Sequence, residues 1–259
     1  GRMRPLRIGI ACYPTFGGSG VMATELGLAL ADRGHEIHIF SYARPSRLQA
    51  DHHGVEFHNV TVSSYPLFQY PPYDLALAST MREVMAEREL DILHVHYAVP
   101  HALCAFLARE MLPGTSTRIV TTLHGTDRDV IRFGLEKSDA VISVSQWLKD
   151  QTAEAFDYTG DIHVVPNFVD RRRFRPQHDV EARREFGGGT HPILVHTSNF
   201  RILKRVADTV DVLRQLESDR RPVLLLVGDG PDLSHVRDEV ARLGLGDRVR
   251  FLGEIENVE

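Results

Sequence analysis

The chain has 259 residues, of which 42% are hydrophobic, so it can form one large or two smaller domains with a sizeable core. Its formal net charge of -5 argues against a nucleic-acid partner, because surfaces that bind phosphate backbones carry an excess of Lys and Arg. No apolar run approaches the roughly 20 residues of a membrane helix and no leader resembles a signal peptide, so we expect a cytoplasmic protein with no membrane partner.

The first predicted strand, LRIGIAC, leads into the glycine-rich stretch YPTFGGSG, which precedes a helical pattern. Gly17, Gly18 and Gly20 permit close backbone approach, and a strand–loop–helix setting directs free N–H groups at whatever binds the helix N-terminus. The spacing does not match the dinucleotide fingerprint G-x-G-x-x-G, since no glycine is expected where strand and helix pack closely. The stretch is predicted to be an anion-binding loop, with a simple tight turn as the alternative.

Short runs rich in Val and Ile alternate with helical patterns along the rest of the chain, which is typical of parallel βαβ units. The later predicted strands are EIHIFS, DILHVHY, TRIVTTLH, DAVISVS, DIHVVP, PILVHTS, PVLLLVG and RVRFLG. In the first predicted helix, Met22, Leu26, Ala29 and Leu30 share one face, which we expect to pack on the sheet. The pattern predicts an α/β fold with doubly wound parallel sheets.

The two cysteines, Cys12 and Cys104, lie far apart and outside any C-x-x-C pattern. This arrangement favours a reducing compartment over a disulfide scaffold. Both thiols are expected to be buried.

A change of composition divides the chain into two predicted domains. Residues 3–170 form the first, residues 171–191 read as a linker because they carry consecutive glycines and few large apolar side chains, and residues 192–259 begin a second. Only about three strands fit in this second domain, against roughly six in a complete doubly wound sheet. We therefore expect the second domain to be incomplete in this chain.

Polar residues at the ends of predicted strands are the candidates for chemistry in the first domain, because open parallel sheets bind ligands at the carboxyl ends of their strands. By this rule Tyr97, the segment from Thr122 to Asp127 with His124, and Ser145 are candidates. His94 and His96 stand two apart on one predicted strand and share a face, a geometry that can hold a metal. Because no third ligand is evident, buried or hydrogen-bonded histidines are the favoured interpretation.

The second domain offers cations close to a predicted helix N-terminus. Lys204 and Arg205 follow HTSNFRIL and begin a helical pattern, an arrangement that suits a pyrophosphate, although a solvated helix face is the alternative. Gly228 and Gly230 in GDGPD lie at a strand-to-helix turn and can line the same crevice. No Ser-His-Asp or Cys-His pairing can be placed by spacing, so nucleophilic hydrolysis has no support.

Four ordered motifs, GGSG, LHGTD, VVPNFVD and VGDGP, resemble the GT-B-fold glycosyltransferases of family 4 along the whole chain. The resemblance implies two Rossmann-like domains facing a cleft. The stretches ACYPTFGGSGVMATELG, PLFQYPPYDLALAS and LHVHYAVPHALCAFLA are similar to the malate-using branch of the family, which transfers GlcNAc from UDP-GlcNAc to L-malate in bacillithiol biosynthesis. This implies a retaining, metal-independent homodimeric enzyme with no cofactor beyond its substrates.

The resemblance also implies roles for individual residues. Those implied in catalysis are His124, at the donor sugar, and Lys204 and Arg205, at the diphosphate. Those implied in donor binding are Gly17, Gly18, Asn199, Gly228 and Gly230. Those implied in binding malate are Ser19, Tyr97 and Thr122.

The sequence departs from the family pattern at three places. Asn199 occupies a position where family members commonly carry arginine, so Arg205, or else Arg201, is expected to supply the second cation. The segment 127–131 is shorter than in malate-using relatives, so a loop is either deleted or absent from this sequence. The paired-glutamate motif that grips the donor would lie beyond Glu259.

Three other functions remain open at this point. The first is a family 4 transferase with a sugar, inositol phosphate or lipid acceptor, since one scaffold serves many acceptors. The second is a GT-B-type sugar-nucleotide epimerase. The third is a non-catalytic fragment that binds the acceptor without gripping the donor.

Overall fold

Strands and helices alternate along the chain of the computed structural model. The structure describes residues 4–15, 18–48, 52–62, 72–124, 131–187, 191–216 and 221–255. The strands of the first part are β1 (Arg7–Ala11), β2 (Glu36–Ser41), β3 (Val55–Asn59), β4 (Ile92–His96), β5 (Arg118–Leu123), β6 (Ala140–Ser143) and β7 (Ile162–Val164). Its helices are α1 (Gly18–Ala31), α2 (Tyr73–Arg88), α3 (Leu103–Glu110), α4 (Ile131–Glu136) and α5 (Gln146–Phe156).

The seven strands form one parallel sheet in the order β3-β2-β1-β4-β5-β6-β7. The chain builds the sheet outwards from β1 in one direction and then, from β4 onwards, in the other. This is the doubly wound arrangement that the alternation of runs predicts, and its switch point lies between β1 and β4. The predicted α/β fold class is confirmed.

All nine strands that the sequence predicts are present, and β3 is an additional one. Its sequence, VEFHN, alternates only two apolar residues with polar ones, which is a weak signal over five positions. It pairs with β2 alone and forms one edge of the sheet. An edge strand is covered less than a central one, so it can carry polar side chains such as Glu56 and His58.

Helix α1 packs on the sheet through a face different from the one expected. Its buried residues are Gly20, Ala23, Thr24, Gly27 and Ala31, whereas the predicted face of Met22, Leu26, Ala29 and Leu30 is only partly buried. A Cβ added at Gly27 would lie 3.2 Å from Ile10 Cδ1 of β1 and 3.3 Å from a methyl group of β2. The helix therefore approaches the strands so closely that small residues form the contact, and the expectation that no glycine serves this packing is wrong.

Two of the apolar clusters of the first unit lie on opposite faces of its sheet. One lies against α2 and α3 and includes Leu77, Met81 and Cys104; the other lies against α1 and includes Ile10 and Cys12. Both cysteines are free and buried, as predicted. Burial raises the pKa of each thiol to about 12, so both are protonated and unreactive at neutral pH.

The chain divides into two compact units, Gly1–Phe168 and Val169–Glu259. The second unit contains α6 (Val180–Gly187), β8 (Ile193–Thr197), α7 (Val206–Gln215), β9 (Val223–Val227), α8 (Leu233–Arg242) and β10 (Val249–Gly253). Its strands form a parallel sheet in the order β10-β9-β8. Helix α6 lies in the segment interpreted as a linker. Within the described ranges, no helix has both the length and the apolar composition to cross a bilayer.

Candidate functional site

The carboxyl ends of β1 and β4 meet at the switch point of the first sheet, where open α/β sheets bind ligands. Tyr13 follows β1 and Tyr97 follows β4, and their rings make an edge contact with centroids 5.5 Å apart. Tyr97 was expected here from its position after a strand, whereas Tyr13 was not singled out because it precedes the glycines that drew attention. The two rings therefore lie together at this end of the sheet.

The glycines before and within α1 have different roles. A Cβ at Gly20 would lie 2.3 Å from the carbonyl oxygen of Tyr13, so Gly20 permits the close contact between the helix and the loop. Gly18, the first residue of α1, is exposed and has no atom within 4 Å of a hypothetical Cβ. Gly18 and the adjacent Ser19 thus leave the first turn open to a ligand. Gly17 lies outside the described residues.

Tyr97 adopts a backbone conformation that is rare for a side chain with a Cβ. Its φ is 121°, and its N–H donates to the carbonyl oxygen of Thr122 on the neighbouring strand at 3.1 Å. Such conformations cost of order 1–3 kcal/mol and cluster at functional sites. The bond fixes the end of β4 against the end of β5 and brings Tyr97 and Thr122 together.

Four histidines form a hydrogen-bonded group beside these residues, which we call the histidine cluster: His94, His96, His101 and His124. His94 Nε2 lies 2.7 Å from Thr122 Oγ1, His96 Nδ1 lies 2.9 Å from His124 Nε2, and His101 Nδ1 lies 3.1 Å from the carbonyl oxygen of His96. The rings of His94 and His96 stack at 4.5 Å and those of His96 and His124 at 5.2 Å. The favoured interpretation of hydrogen-bonded histidines is confirmed.

Burial keeps this cluster uncharged at neutral pH. It lowers the pKa of His94, His101 and His124 to about 4 and that of His96 well below its ordinary value. A neutral His101 whose Nδ1–H donates to a carbonyl has an unprotonated Nε2, and this atom has no partner among the described residues. The neutral rings of the cluster can therefore form hydrogen bonds with hydroxyl groups, but they carry no positive charge to bind a phosphate.

His94, His96 and His124 were predicted as candidates from their positions on strands, whereas His101 was not. His101 enters the cluster through the segment Ala98–Ala102, which follows β4 and is kinked at Val99, a residue with non-helical backbone angles. The candidate Ser145 is not part of the cluster, since its hydroxyl accepts the N–H of Leu148 and caps α5. Asp127 and Gly125 of the LHGTD motif lie outside the described residues.

In the second unit, two glycines hold the loops after β8 and β9 together. A Cβ at Gly228 would lie 1.8 Å from the carbonyl oxygen of Ser198, and one at Gly230 would lie 2.7 Å from that of Phe200. Both have positive φ, 128° and 154°, which glycine adopts without strain. Asn199 lies between the two contacts and is half-buried. The structure therefore brings Asn199, Gly228 and Gly230 together.

Lys204 and Arg205 lie after the first of these loops. Lys204 ends the 3-10 turn Ile202–Lys204, is exposed, and has no carboxylate partner among the residues that the structure describes. Burial, with the charge of Lys204, lowers the pKa of His196 in β8, which indicates that the ammonium lies near the end of that strand. Arg205 precedes α7 and pairs with Asp208. Lys204 is therefore the more available cation.

Known proteins resemble this chain in sequence and in fold. Residues 16–173 match the model of Glycosyltransferase Family 4. N-acetyl-alpha-D-glucosaminyl L-malate synthase of Bacillus anthracis is 48% identical over an alignment of 264 positions, which covers 98% of this chain and 69% of that protein. A GDP-mannose-dependent alpha-(1-6)-phosphatidylinositol monomannoside mannosyltransferase of Mycobacterium tuberculosis is 31% identical, covering 69% of this chain and 49% of that protein.

Solved structures show the same architecture at low identity. Anabaena HepE, crystallised with UDP and glucose, superposes with a TM-score of 0.74 at 18% identity, over 96% of this chain and 70% of that one. A glycosyltransferase of Rickettsia africae superposes with a TM-score of 0.76 at 18% identity, over 99% of this chain and 70% of that one. The predicted GT-B fold class is confirmed. The match to the family model and the 48% identity to the malate synthase show that the chain belongs to glycosyltransferase family 4.

Proposed function

We propose that this chain transfers GlcNAc from UDP-GlcNAc to the hydroxyl group of L-malate, with retention of anomeric configuration, without a metal ion, as the first step of bacillithiol biosynthesis. The observation that carries the proposal is the 48% identity to the Bacillus anthracis malate synthase across 98% of the chain. Because the identity is this high over nearly the whole chain, we expect the two proteins to share their donor and acceptor substrates and not only their fold.

The donor diphosphate is assigned to the second unit. Lys204 is exposed and has no described carboxylate partner, so its ammonium is free to meet a phosphate oxygen. Arg205 adds a second cation once its guanidinium leaves Asp208. Asn199, Gly228 and Gly230 lie in the loops beside these two cations. When the bond between the sugar C1 and the diphosphate breaks, the charge that develops on UDP is stabilised by these cations.

The acceptor is assigned to the first unit. The open first turn of α1, at Gly18 and Ser19, presents backbone N–H groups to an anionic oxygen, and malate carries two carboxylates. Tyr97 and Thr122 stand at the neighbouring strand ends. His124 is neutral, so it is suited to hydrogen-bond a sugar hydroxyl and unsuited to pairing with a phosphate.

The proposed transfer needs no protein side chain as a base. The malate hydroxyl oxygen forms the new bond to C1 on the face from which UDP departs, which retains the configuration. The hydroxyl proton passes to an oxygen of the leaving phosphate. The residues of both units then bind, orient and stabilise charge, and no group of this chain has to titrate near pH 7 for the transfer.

The test is release of UDP from UDP-GlcNAc by the purified protein, with and without L-malate. We expect malate-dependent release that EDTA does not reduce, and an α-linked product by NMR. Conversion of UDP-GlcNAc to another UDP-sugar in the absence of any acceptor would indicate a sugar-nucleotide epimerase. Malate binding by calorimetry with no UDP release would indicate a binding fragment. Either result would refute the proposed transfer.

A donor and acceptor panel addresses the remaining alternative. The mannosyltransferase relative makes GDP-mannose and phosphatidylinositol mannosides the comparison substrates. Faster turnover with these, or with inositol phosphate, than with UDP-GlcNAc and malate would replace the proposed substrates. We further propose that the protein is a cytoplasmic homodimer. Light scattering on the eluted protein tests whether it is a dimer.

A further inference from the structure

Three polar side chains with metal-binding atoms lie side by side at the edge of the first sheet. His38 is in β2, and Glu56 and His58 are in β3. The strands are in register, with His38 opposite Glu56 and Phe40 opposite His58, so alternate residues project from the same face. We call these three residues the edge cluster.

The distances in the edge cluster are close to those around a tetrahedral ion. His38 Nδ1 lies 2.8 Å from His58 Nε2 and 3.7 Å from Glu56 Oε2, and His58 Nε2 lies 3.9 Å from Glu56 Oε1. A zinc ion with bonds of about 2.1 Å holds its tetrahedral ligand atoms about 3.4 Å apart. The two distances to Glu56 end on different oxygens, and one ligand atom from each of the three residues lies within 4.8 Å of the other two. Rotation of the half-exposed Glu56 carboxylate and shifts of up to about 1.4 Å would therefore place one atom of each residue around one ion.

A fourth residue orients the buried histidine for this purpose. His38 Nε2 lies 2.8 Å from Glu36 Oε1, and the His38 side chain is 1% exposed. The bond to a carboxylate places the ring proton on Nε2 and leaves the lone pair of Nδ1 directed at His58 and Glu56. Histidines that bind zinc commonly donate their second ring N–H to a carboxylate in this manner.

We propose that His38, Glu56 and His58 form a zinc-binding site that fastens the edge strand β3 to β2. Two imidazole nitrogens and one carboxylate oxygen are a donor set that zinc prefers. The Glu56 side chain is 46% exposed and that of His58 is 15% exposed, so a water molecule can complete the tetrahedron. On binding, the proton that His58 Nε2 donates to His38 moves to His58 Nδ1 or to solvent.

This site lies apart from the histidine cluster. In the pairing of the strands His38 is opposite Gly9, whereas His94 is opposite the next residue, Ile10, so the two histidines project from opposite faces of the sheet. The zinc would stabilise the strand pair and take no part in the proposed transfer. Its test is accordingly independent of any activity.

Arg88 at the end of α2 competes with the ion. Its Nη2 lies 2.9 Å from Glu56 Oε2 and 3.1 Å from Glu56 Oε1. For a metal ion to bind, the Glu56 carboxylate has to break its ion pair with this guanidinium. Removing the guanidinium is therefore expected to strengthen zinc binding, which is a change that a purely structural ion pair would not produce.

The experiment uses untagged protein freed of metal with a chelator. Zinc is titrated against a chromophoric competitor, and cobalt is added separately because tetrahedral cobalt gives intense visible absorption. We expect one ion per chain and a tetrahedral cobalt spectrum. The absence of stoichiometric zinc binding, or an octahedral cobalt spectrum, would overturn the proposal.

Variants test the assignment of the ligands. His58→Gln and Glu56→Gln should each weaken zinc binding at least tenfold, and Glu36→Gln about 10- to 100-fold through the second ring nitrogen. Arg88→Gln should bind zinc several-fold more tightly. His163→Gln, at an exposed position on the opposite edge strand, is the matched control and should bind as the unaltered chain does. Equal affinity in His58→Gln and in the unaltered chain would place the ion elsewhere, and circular dichroism checks that each variant folds.

Discussion

The histidine cluster makes the first unit sensitive to mild acid. His101 is fully buried, and its pKa is about 4 in the folded chain against an ordinary value of 6.5. Between these values the unfolded chain binds more protons than the folded chain, so stability is fully present above pH 6.5 and is lost as the pH falls towards 4. The whole difference corresponds to about 3 kcal/mol for one such histidine.

Between pH 7.5 and pH 5 the expected loss is about 2 kcal/mol for each histidine with a folded pKa of about 4. His94, His101 and His124 share this value, so the three together lose up to about 6 kcal/mol, a large part of the stability of an ordinary domain. Urea unfolding followed by far-UV circular dichroism at several pH values measures this loss. The window ends at pH 5 because carboxyl groups titrate mainly below it.

The replacement His101→Asn isolates one histidine. The side-chain amide can keep the hydrogen bond to the carbonyl oxygen of His96 and has no proton to gain. The pH-dependent loss should shrink by about 2 kcal/mol in this variant, whatever its stability at pH 7.5. His163→Asn leaves the cluster intact and controls for removal of a surface histidine. Equal losses of free energy between pH 7.5 and 5 in His101→Asn and in the unaltered chain would show that the burial of His101 does not cause the sensitivity to acid.

Three further predictions concern the candidate site. Gly20→Ala should lower the stability by about 1–3 kcal/mol, seen as a reduced urea midpoint, because its Cβ meets a backbone carbonyl oxygen at 2.3 Å, whereas Gly18→Ala should leave the midpoint unchanged. Lys204→Met should reduce kcat for UDP release about 100- to 1000-fold with an unchanged circular dichroism spectrum, and a loss under threefold would contradict its assignment to the diphosphate. Arg205→Gln removes an exposed ion pair with Asp208, so we expect less than about 1 kcal/mol in stability and a smaller kinetic loss than for Lys204→Met.

The strands were predictable because each predicted run carries several Val, Ile or Leu residues whose burial dominates the local energetics. The edge strand β3 was missed because Val55 and Phe57 are its only large apolar residues. The buried face of α1 was predicted wrongly because the prediction relied on large apolar side chains. A helix that packs closely on two strands needs small residues, such as Gly27, at the contact.

The sequence indicated which positions belong to the candidate site, but it did not indicate which side chains contact one another there. Strand ends indicated Tyr97, Thr122 and His124, because a parallel sheet gathers its ligands there. The bond between His96 and His124 depends on the register of β4 against β5, which no local pattern specifies. The roles of individual residues towards donor and acceptor stay predictions.

Helix α1 is held at two glycine contacts, at Gly20 against the loop after β1 and at Gly27 against β1 and β2. The two positions are about 10 Å apart along the helix axis at 1.5 Å per residue. A closer approach would meet the backbone carbonyl of Tyr13 at the first position and the side chains of Ile10 and Ile37 at the second, so the helix is held at a defined distance from the sheet at both. The amide groups of its first turn are thus pre-organised, so a ligand that binds them sacrifices little conformational entropy, and its residence time depends on the contacts it makes more than on any ordering of the helix.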